Sequence, residues 1–398
     1  MRIALNGYFW DQPRTGSGQY TRHLWCALGE LSAQLPAPQA HHIALLLPAH
    51  EPLIHDPQSA PSSETIAQSK IQNPKSKIQK AFWEQAGAPR QAMRIGADML
   101  HVPYLAAPVL KGVPVVVTAH DVIPWVLPAY GGSPLVRLYL ALAAAGARRA
   151  DLVITDSEAS RRDAIKRLEL SPSKVHTIYL GTDPPPAYTP EQLDEVRSRH
   201  GLPADFAFYI GGFDRRKNVP LLLRAWRIAL DSSANDRPPT LAIAGDVPQP
   251  GGIFPDVPAE AARLGFAGRN GPVHFIGRIS EEDKPLLMAA ARIFVYPSEY
   301  EGFGLDPLAA MSVGCPVVSS TGGSLPEVVG DAGLLVPPND EKALAGAVVR
   351  AWTDSALRER LSAQGRERAR LFTWQRTAQE TWRLYERVGT KGRGTSRE

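Results

Sequence analysis

Short apolar runs alternate with helical patterns along almost the whole chain, and this alternation restricts the fold more than any other feature. "RIALNG", "HIALLLP", "DMLHVP", "PVVVTAHD", "DLVITDS" and "KVHTIYL" read as buried strands, with helical stretches such as residues 18–33 and 133–149 between them. A second series runs through "FAFYIGG", "TLAIAGD", "VHFIGR", "IFVYPS", "CPVVSS" and "GLLVP". Such alternation implies parallel sheets covered by helices on both faces. Between the series, "GTDPPPAYTPEQLDEVRSRHGLP" carries three consecutive prolines and marks a boundary. At 398 residues the chain exceeds what one core usually supports. The expectation is α/β: two doubly wound parallel-sheet domains facing each other across a cleft, at 1–182 and 205–371, with 183–204 as linker. Ligands of such sheets bind beyond the carboxyl ends of the strands, which directs attention to the loops there.

Composition narrows the partners. A net charge of +4 does not by itself imply a nucleic-acid binder, and is compatible with an anionic small molecule or an acidic membrane surface. Two distant cysteines, Cys26 and Cys315, form no disulfide framework and no metal-ligand spacing, which suits a reducing cytosol. The start "MRIALNGYF" lacks the marks of a signal peptide. "LVRLYLALAAAGARRA" is interrupted by Arg137 and reads as a buried helix, or one touching a membrane, rather than a span. Residues 51–80 break the rhythm and read as a mobile surface insertion, with Lys70, Lys75, Lys77 and Lys80 forming a solvated face. The segment 372–389 places Phe372, Trp374, Trp382, Leu384 and Tyr385 at helical intervals, so it docks on the body, and 390–398 is expected to be disordered.

Four stretches carry chemistry. In "QPRTGSGQYTRHLW", Gly16 and Gly18 lie between a strand and a helix, where backbone can approach a ligand and the helix start offers free N–H groups; a tight turn explains them equally well. In "VTAHDVIPW", His120 and Asp121 end a buried strand. The histidine could bond a substrate hydroxyl with Asp121 orienting it or touching an acceptor, or could simply hold the loop. No second histidine lies at metal spacing. In "YIGGFDRRKNVPLLLRAW", Arg215, Arg216 and Lys217 precede an amphipathic helix that Asn218 is positioned to cap, with Pro220 in its first turn. Cations there oppose the helix dipole unless an anion lies between them, and a pyrophosphate would be such an anion. Finally, "PSEYEGFGLDP" sets Ser298, Glu301, Gly302, Phe303 and Gly304 in a loop before a helix starting at Asp306-Pro307. Glu301 can accept hydrogens from vicinal sugar hydroxyls. The glycine loop "STGGSLPEVVGDAG" follows the next strand and points to a larger site.

The string "PSEYEGFGLDPLAAMSVGCPVVSS…GGSLPEVVGDAGLLVPPND" resembles the signature of the retaining glycosyltransferases of family 4, which have the GT-B fold of two Rossmann-like domains. "TGSGQYTRHL", "HD", "SEASRRD" after "VITD", and "GGFDRRKN" match in order; the likeness is weakest across 35–95. The resemblance implies that Glu301 holds donor-sugar hydroxyls and that Lys217 and Arg216 neutralise the diphosphate. Phe303, Gly304, Leu305 and Asp306, with Ser298, would lie along the donor. Gly16 and Gly18 would lie near the phosphates, and His120 would line the sugar site. It further implies sugar transfer from a nucleotide donor with retention of configuration, the leaving phosphate helping to deprotonate the acceptor, without a bound metal or other cofactor. The implied partners are a nucleotide-sugar, GDP-mannose among the candidates, and a glycan or lipid-linked acceptor of cell-surface polysaccharide synthesis. Peripheral contact with the inner membrane face is an added option, and nucleic acid is not a partner.

One position departs from the pattern. The family's second glutamate falls on Ala309, so a carboxylate expected at the ribose hydroxyls is absent. Asp306, three positions earlier, or Glu327 on the next loop is the candidate substitute. A catalytically silent sugar-nucleotide binder and an epimerase of the same fold remain the alternatives.

Overall fold

The computed structural model describes residues 1–13, 15–36, 41–48, 53–55, 76–232, 239–266 and 271–394. The chain divides into two compact units, Met1–Gly181 with Thr373–Glu398, and Thr182–Phe372.

The first unit is built on a sheet of order β3-β2-β1-β4-β5-β6-β7. Its strands are β1 (Arg2–Asn6), β2 (His42–Leu46), β3 (Leu53–His55), β4 (Met99–Val102), β5 (Val115–Ala119), β6 (Leu152–Thr155) and β7 (Val175–Thr177). All pairings are parallel except β2 with β3. The six apolar runs of the first series supply every strand but β3. That short antiparallel edge lies inside the segment read as an insertion. The rest of 51–80 lies outside the described residues up to Ser76, which caps helix α2 (Lys77–Phe82). Lys80 is not a solvated residue: its ammonium lies over four aromatic rings.

Helix α1 (Gly16–Gln34) follows β1, with Thr15 accepting from the Gly18 N–H at 3.1 Å as its N-cap. Helix α3 (Pro134–Arg149) is buried only at its small-residue end, through Ala143, Ala144, Gly146 and Ala147. Its first turns expose Leu135 and Leu138, so the expectation of a wholly buried stripe fails there. The C-terminal helix Trp374–Gly394 belongs to this unit, with Trp382 stacked on His41 at 4.1 Å and Trp374 on His23 at 4.6 Å. Residues 390–394, expected to be disordered, continue it; 395–398 lie outside the described residues.

The second unit has a wholly parallel sheet of order β10-β9-β8-β11-β12-β13. The strands are β8 (Phe206–Ile210), β9 (Thr240–Ala244), β10 (Val273–Gly277), β11 (Ile293–Tyr296), β12 (Val317–Ser320) and β13 (Gly333–Val336). Its central strands are buried almost throughout and carry a run of packed rings, Phe208–Phe294 tilted at 6.1 Å and Phe294–Tyr296 stacked at 5.8 Å. Part of the expected linker is a helix of this unit. In α4 (Pro190–Arg199), Thr189 and Gln192 form a reciprocal capping box, and Arg199 pairs with the buried Asp283. Prolines and polar residues hid it, because one buried residue, Val196, gives it little apolar stripe.

In both sheets the order of strands reverses once, between β1 and β4 and between β8 and β11. The crevice beyond the carboxyl ends at such a reversal is the physical opening where loops part to opposite faces.

Candidate active site

At the reversal point of the second unit, β8 leads through Gly211 and Gly212 into a tight turn at Arg215–Lys217, and then into α5 (Val219–Asp231). Asn218 does not cap α5 through its side chain. It sits at φ 59° and its amide donates to Asn339 at 2.9 Å. The loop after β11 brings Glu301 to the same place. Its Oε1 accepts from Lys217 Nζ at 2.8 Å and its Oε2 faces Arg216 Nη1 at 2.8 Å. The anion that two adjacent cations require is thus supplied from within the fold by Glu301, with Asp214 3.4 Å from the Arg216 guanidinium. Burial works to raise the Glu301 pKa, but Lys217 and Arg216 outweigh it and hold the carboxyl below its ordinary value.

The network continues inward. Lys217 Nζ also donates to the Tyr296 hydroxyl at 2.5 Å and lies 4.8 Å from that ring's centre. The hydroxyl in turn donates to Asp306 Oδ2 at 3.4 Å, and Lys284 on α6 (Asp283–Ala290) pairs with Asp306 Oδ1 at 2.6 Å. Burial alone would raise the Asp306 pKa; Lys284 and then Lys217 reverse this. Asp306 is therefore engaged by a lysine of its own. Ala309, on the same helix α7 (Leu305–Ser312), is half-buried and adds no polar group.

The loop geometry explains the glycines. Gly304, at φ 116°, starts α7 where a side chain would be strained, and no side chain caps that helix, so its first N–H groups have no capping side chain. A Cβ on Gly322 or Gly323 would lie 2.3 Å from the carbonyl oxygen of Glu299 or Glu301. The second glycine loop therefore packs against the Glu301 loop and fixes its position. Ser324 completes the seam, its hydroxyl donating to the carbonyls of Glu301 at 3.0 Å and Phe303 at 2.5 Å. Phe303 is buried against Phe372, with ring centres 5.9 Å apart, and Ser298 is fully buried, its carbonyl accepting from Ser320.

In the first unit, three neighbouring strand ends hold His120. It follows β5; its Nδ1 donates to Asp156, after β6, at 2.7 Å, and its Nε2 donates to the carbonyl of Pro103, after β4, at 3.0 Å. Both ring nitrogens face acceptors that cannot donate, an arrangement satisfied in full by the imidazolium. Burial pulls the pKa down, but the Asp156 carboxylate overcomes it and the net shift is upward. Asp156, not Asp121, orients the ring. Asp121 accepts from the N–H of Ile123 at 2.9 Å, closing its own turn. Behind His120, Tyr20 packs edge-on at 4.8 Å. Gly18 is buried because a Cβ there would lie 2.0 Å from the Gln12 carbonyl oxygen, a packing requirement; Gly16 is exposed with open space around it. Among the described residues, no group of three or more His, Cys, Asp or Glu side chains is arranged to hold a metal ion.

Residues 28–185 match glycosyltransferase family 4 and residues 205–354 match the glycosyl transferases group 1. The O-antigen chain mannosyltransferase B of Escherichia coli is 35% identical over 273 residues, covering 68% of this chain and 70% of that one. The chain belongs to glycosyltransferase family 4. Another relative of this glycosyltransferase is the D-inositol 3-phosphate glycosyltransferase of a Nocardioides species, 33% identical over 60% of this chain and 54% of the other. Sucrose-phosphate synthase from Thermosynechococcus elongatus superposes with a TM-score of 0.71 at 24% identity, covering 98% of this chain and 100% of that one. Anabaena HepE in complex with UDP and glucose superposes at 0.67 and 19% identity, covering 97% and 99%. The fold of the glycosyltransferase is thus GT-B.

Several members of the present network were not apparent from the motifs. Asp156, Tyr296, Lys284 and Asp214 each stand beside a predicted residue. Asp156 stood in the quoted "VITD", and only the adjacency of β5 and β6 gives it a partner.

Proposed function

We propose that the chain transfers a hexose from a nucleotide-diphosphate sugar to a glycan or lipid-linked acceptor with retention of anomeric configuration, in cell-surface polysaccharide synthesis. Mannose from GDP-mannose is the preferred donor assignment, supported by the mannosyltransferase among the relatives. The observation that carries the reading is Glu301 held at 2.8 Å by both Arg216 and Lys217 at the strand-order reversal. Each carboxylate oxygen has one lone pair engaged by a cation and another left to accept a sugar hydroxyl. The same two cations stabilise charge building on the leaving diphosphate, so no metal is required for that task. His120 has its ring locked by Asp156 and the Pro103 carbonyl, and the leaving phosphate takes the acceptor proton.

Calorimetric titration with GDP-, UDP- and ADP-sugars, with and without EDTA, tests the reading. One sugar nucleotide is expected to bind in the presence of EDTA, and Glu301→Gln is expected to abolish its advantage over the free nucleoside diphosphate. Binding of none, or binding indifferent to Glu301 and Lys217, sinks it. A second reading, a nucleotide-sugar binder without turnover, draws on Ala309 together with the engagement of Asp306 by Lys284. Donor binding without sugar transfer to any pooled acceptor would favour it.

A further inference from the structure

Two polar residues stand where buried strands call for apolar ones. Leu100 and Val102 of β4 pair with Val115 and Val117 of β5, so by alternation His101 and Thr118 share the opposite face of the sheet. Both are fully buried, and their polar atoms need partners. They find them in a chain of four. The Tyr385 hydroxyl, on the C-terminal helix, lies 2.6 Å from His101 Nδ1; His101 Nε2 lies 2.9 Å from Thr118 Oγ1; and Thr118 Oγ1 lies 3.2 Å from the hydroxyl of Tyr20 on α1. Tyr20 and Tyr385 are buried as well, and all four belong to the first unit. The Tyr20 ring is the one that packs against His120 at 4.8 Å. The chain therefore begins on the C-terminal helix and ends beneath the histidine of the first-unit site.

The distances give this chain a direction. At 2.6 Å the Tyr385 contact is shorter than the roughly 2.7–3.2 Å of an N–H donor and suits a hydroxyl donor, whereas 2.9 Å at Thr118 suits the N–H of the other nitrogen. His101 is then the Nε2–H tautomer, and Thr118 turns its own hydrogen toward Tyr20. Burial, and then the charge of His120, push the His101 pKa down to about 3, so the ring is neutral. Which nitrogen of a neutral imidazole carries the proton is set by the bond that the other one makes. Without the Tyr385 hydrogen nothing fixes that choice, Thr118 is free to turn back to His101, and Tyr20 loses its donor.

We propose that Tyr385 is a positioning residue for His120, acting through His101, Thr118 and Tyr20. It fixes one tautomer at His101, hence one hydrogen-bond direction at Thr118, and so holds Tyr20 against the His120 ring while Asp156 and the Pro103 carbonyl hold its nitrogens. The transferase reading is needed only to give His120 a task at a sugar.

The test is the His120 titration, followed by NMR in the full chain without ligand, with the ring-nitrogen shifts of His101 reporting its tautomer. The groups that face His120 are Asp156 and Asp121, which favour the charged ring, the neutral His101, and the Tyr20 phenol. Tyr385→Phe is expected to lower the His120 midpoint by about half a pH unit or more and to mix the His101 tautomers. Tyr20→Phe should lower it likewise, and the double variant by no more than the larger single effect. Thr118→Val, which keeps the side-chain shape, should give the same shift, and Thr118→Ser should not. Thr377→Val is the structural control: its hydroxyl, on the same helix, donates to the Tyr179 carbonyl at 2.7 Å outside the chain, so its loss lowers the melting temperature and leaves the midpoint in place. An unmoved midpoint in Tyr385→Phe, an equal shift in Thr377→Val, or fully additive effects of the two tyrosines overturns the proposal. A midpoint that responds as expected in a chain that binds no sugar nucleotide would sink the transferase reading and leave this one standing; donor binding with an unresponsive midpoint does the reverse.

Discussion

His120 is hydrogen-bonded to the buried Asp156, Nδ1 to Oδ2 at 2.7 Å, across the carboxyl ends of adjacent strands. A histidine whose pKa is raised on folding contributes stability that is complete below its unfolded value and is lost as pH rises through the folded value. Asp156→Asn should therefore lower the His120 midpoint, seen by NMR, from above 6.5 to below it. It should also remove the part of the stability that declines above that pH. An unmoved midpoint would show that Asp121 and the Pro103 carbonyl keep the ring charged without Asp156.

Glu84 gives a second pH signature. Burial raises its pKa to about 7, against the pull of Lys80 and Tyr139. Between 4.5 and about 7 the unfolded chain releases a proton that the native state keeps, so stability falls as pH rises through that window. The loss at this site is at most about 3.5 kcal/mol at ~1.4 kcal/mol per pKa unit. Urea midpoints measured at about pH 5 and about pH 8 should converge in Glu84→Gln; an undiminished gap assigns the slope to other groups.

Lys217→Met leaves Glu301 and the Tyr296 hydroxyl without their shared cation. Breaking a buried pair on one side costs about 3–5 kcal/mol, and on the proposed function the loss of a charged hydrogen bond to phosphate weakens donor binding by about tenfold to a hundredfold. Thermal melts and donor titration check the two effects separately. A variant as stable as the parent would mean that Arg216 alone suffices for Glu301.

Ala309→Glu restores a carboxylate one turn after Asp306. Because Lys284 already engages Asp306, the new charge meets limited repulsion, and donor affinity is expected to rise by about tenfold. An unchanged constant would mean that the position has no bearing on the nucleotide.

The two glycines opening α1 should respond unequally. Gly18→Ala forces a Cβ to 2.0 Å from a backbone carbonyl oxygen and should lower stability by about 2 kcal/mol or more. Gly16→Ala, with open space around it, should stay within about 0.5 kcal/mol. Equal melting shifts would refute the packing account of Gly18.

Much of this molecule is legible in its residue order because a strand buried on both faces is an apolar run. Among the described residues, twelve of the thirteen strands announce themselves that way. The exception, β3, has three residues at an antiparallel edge inside a polar segment. Helix α4 had a readable start, Thr189-Pro190 with Gln192 two residues on, but little apolar periodicity. The pairing of Glu301 with Arg216 and Lys217 could not be read locally, since it depends on β8 and β11 being neighbours. Lys80 shows the same limit more sharply. Among lysines it reads as solvated, and only the convergence of four aromatic residues from distant parts of the chain gives it another character.

The clasp of Glu301 by two cations bears on which molecules this protein ignores. Glu301 and Asp214 together offset the two cations at rest, so stray polyanions and free phosphate find little long-range pull and would have to evict a carboxylate to enter. On the function proposed above, a guest bearing both hydroxyls and a diphosphate satisfies acid and bases together, which makes discrimination a matter of completing a circuit rather than of attraction.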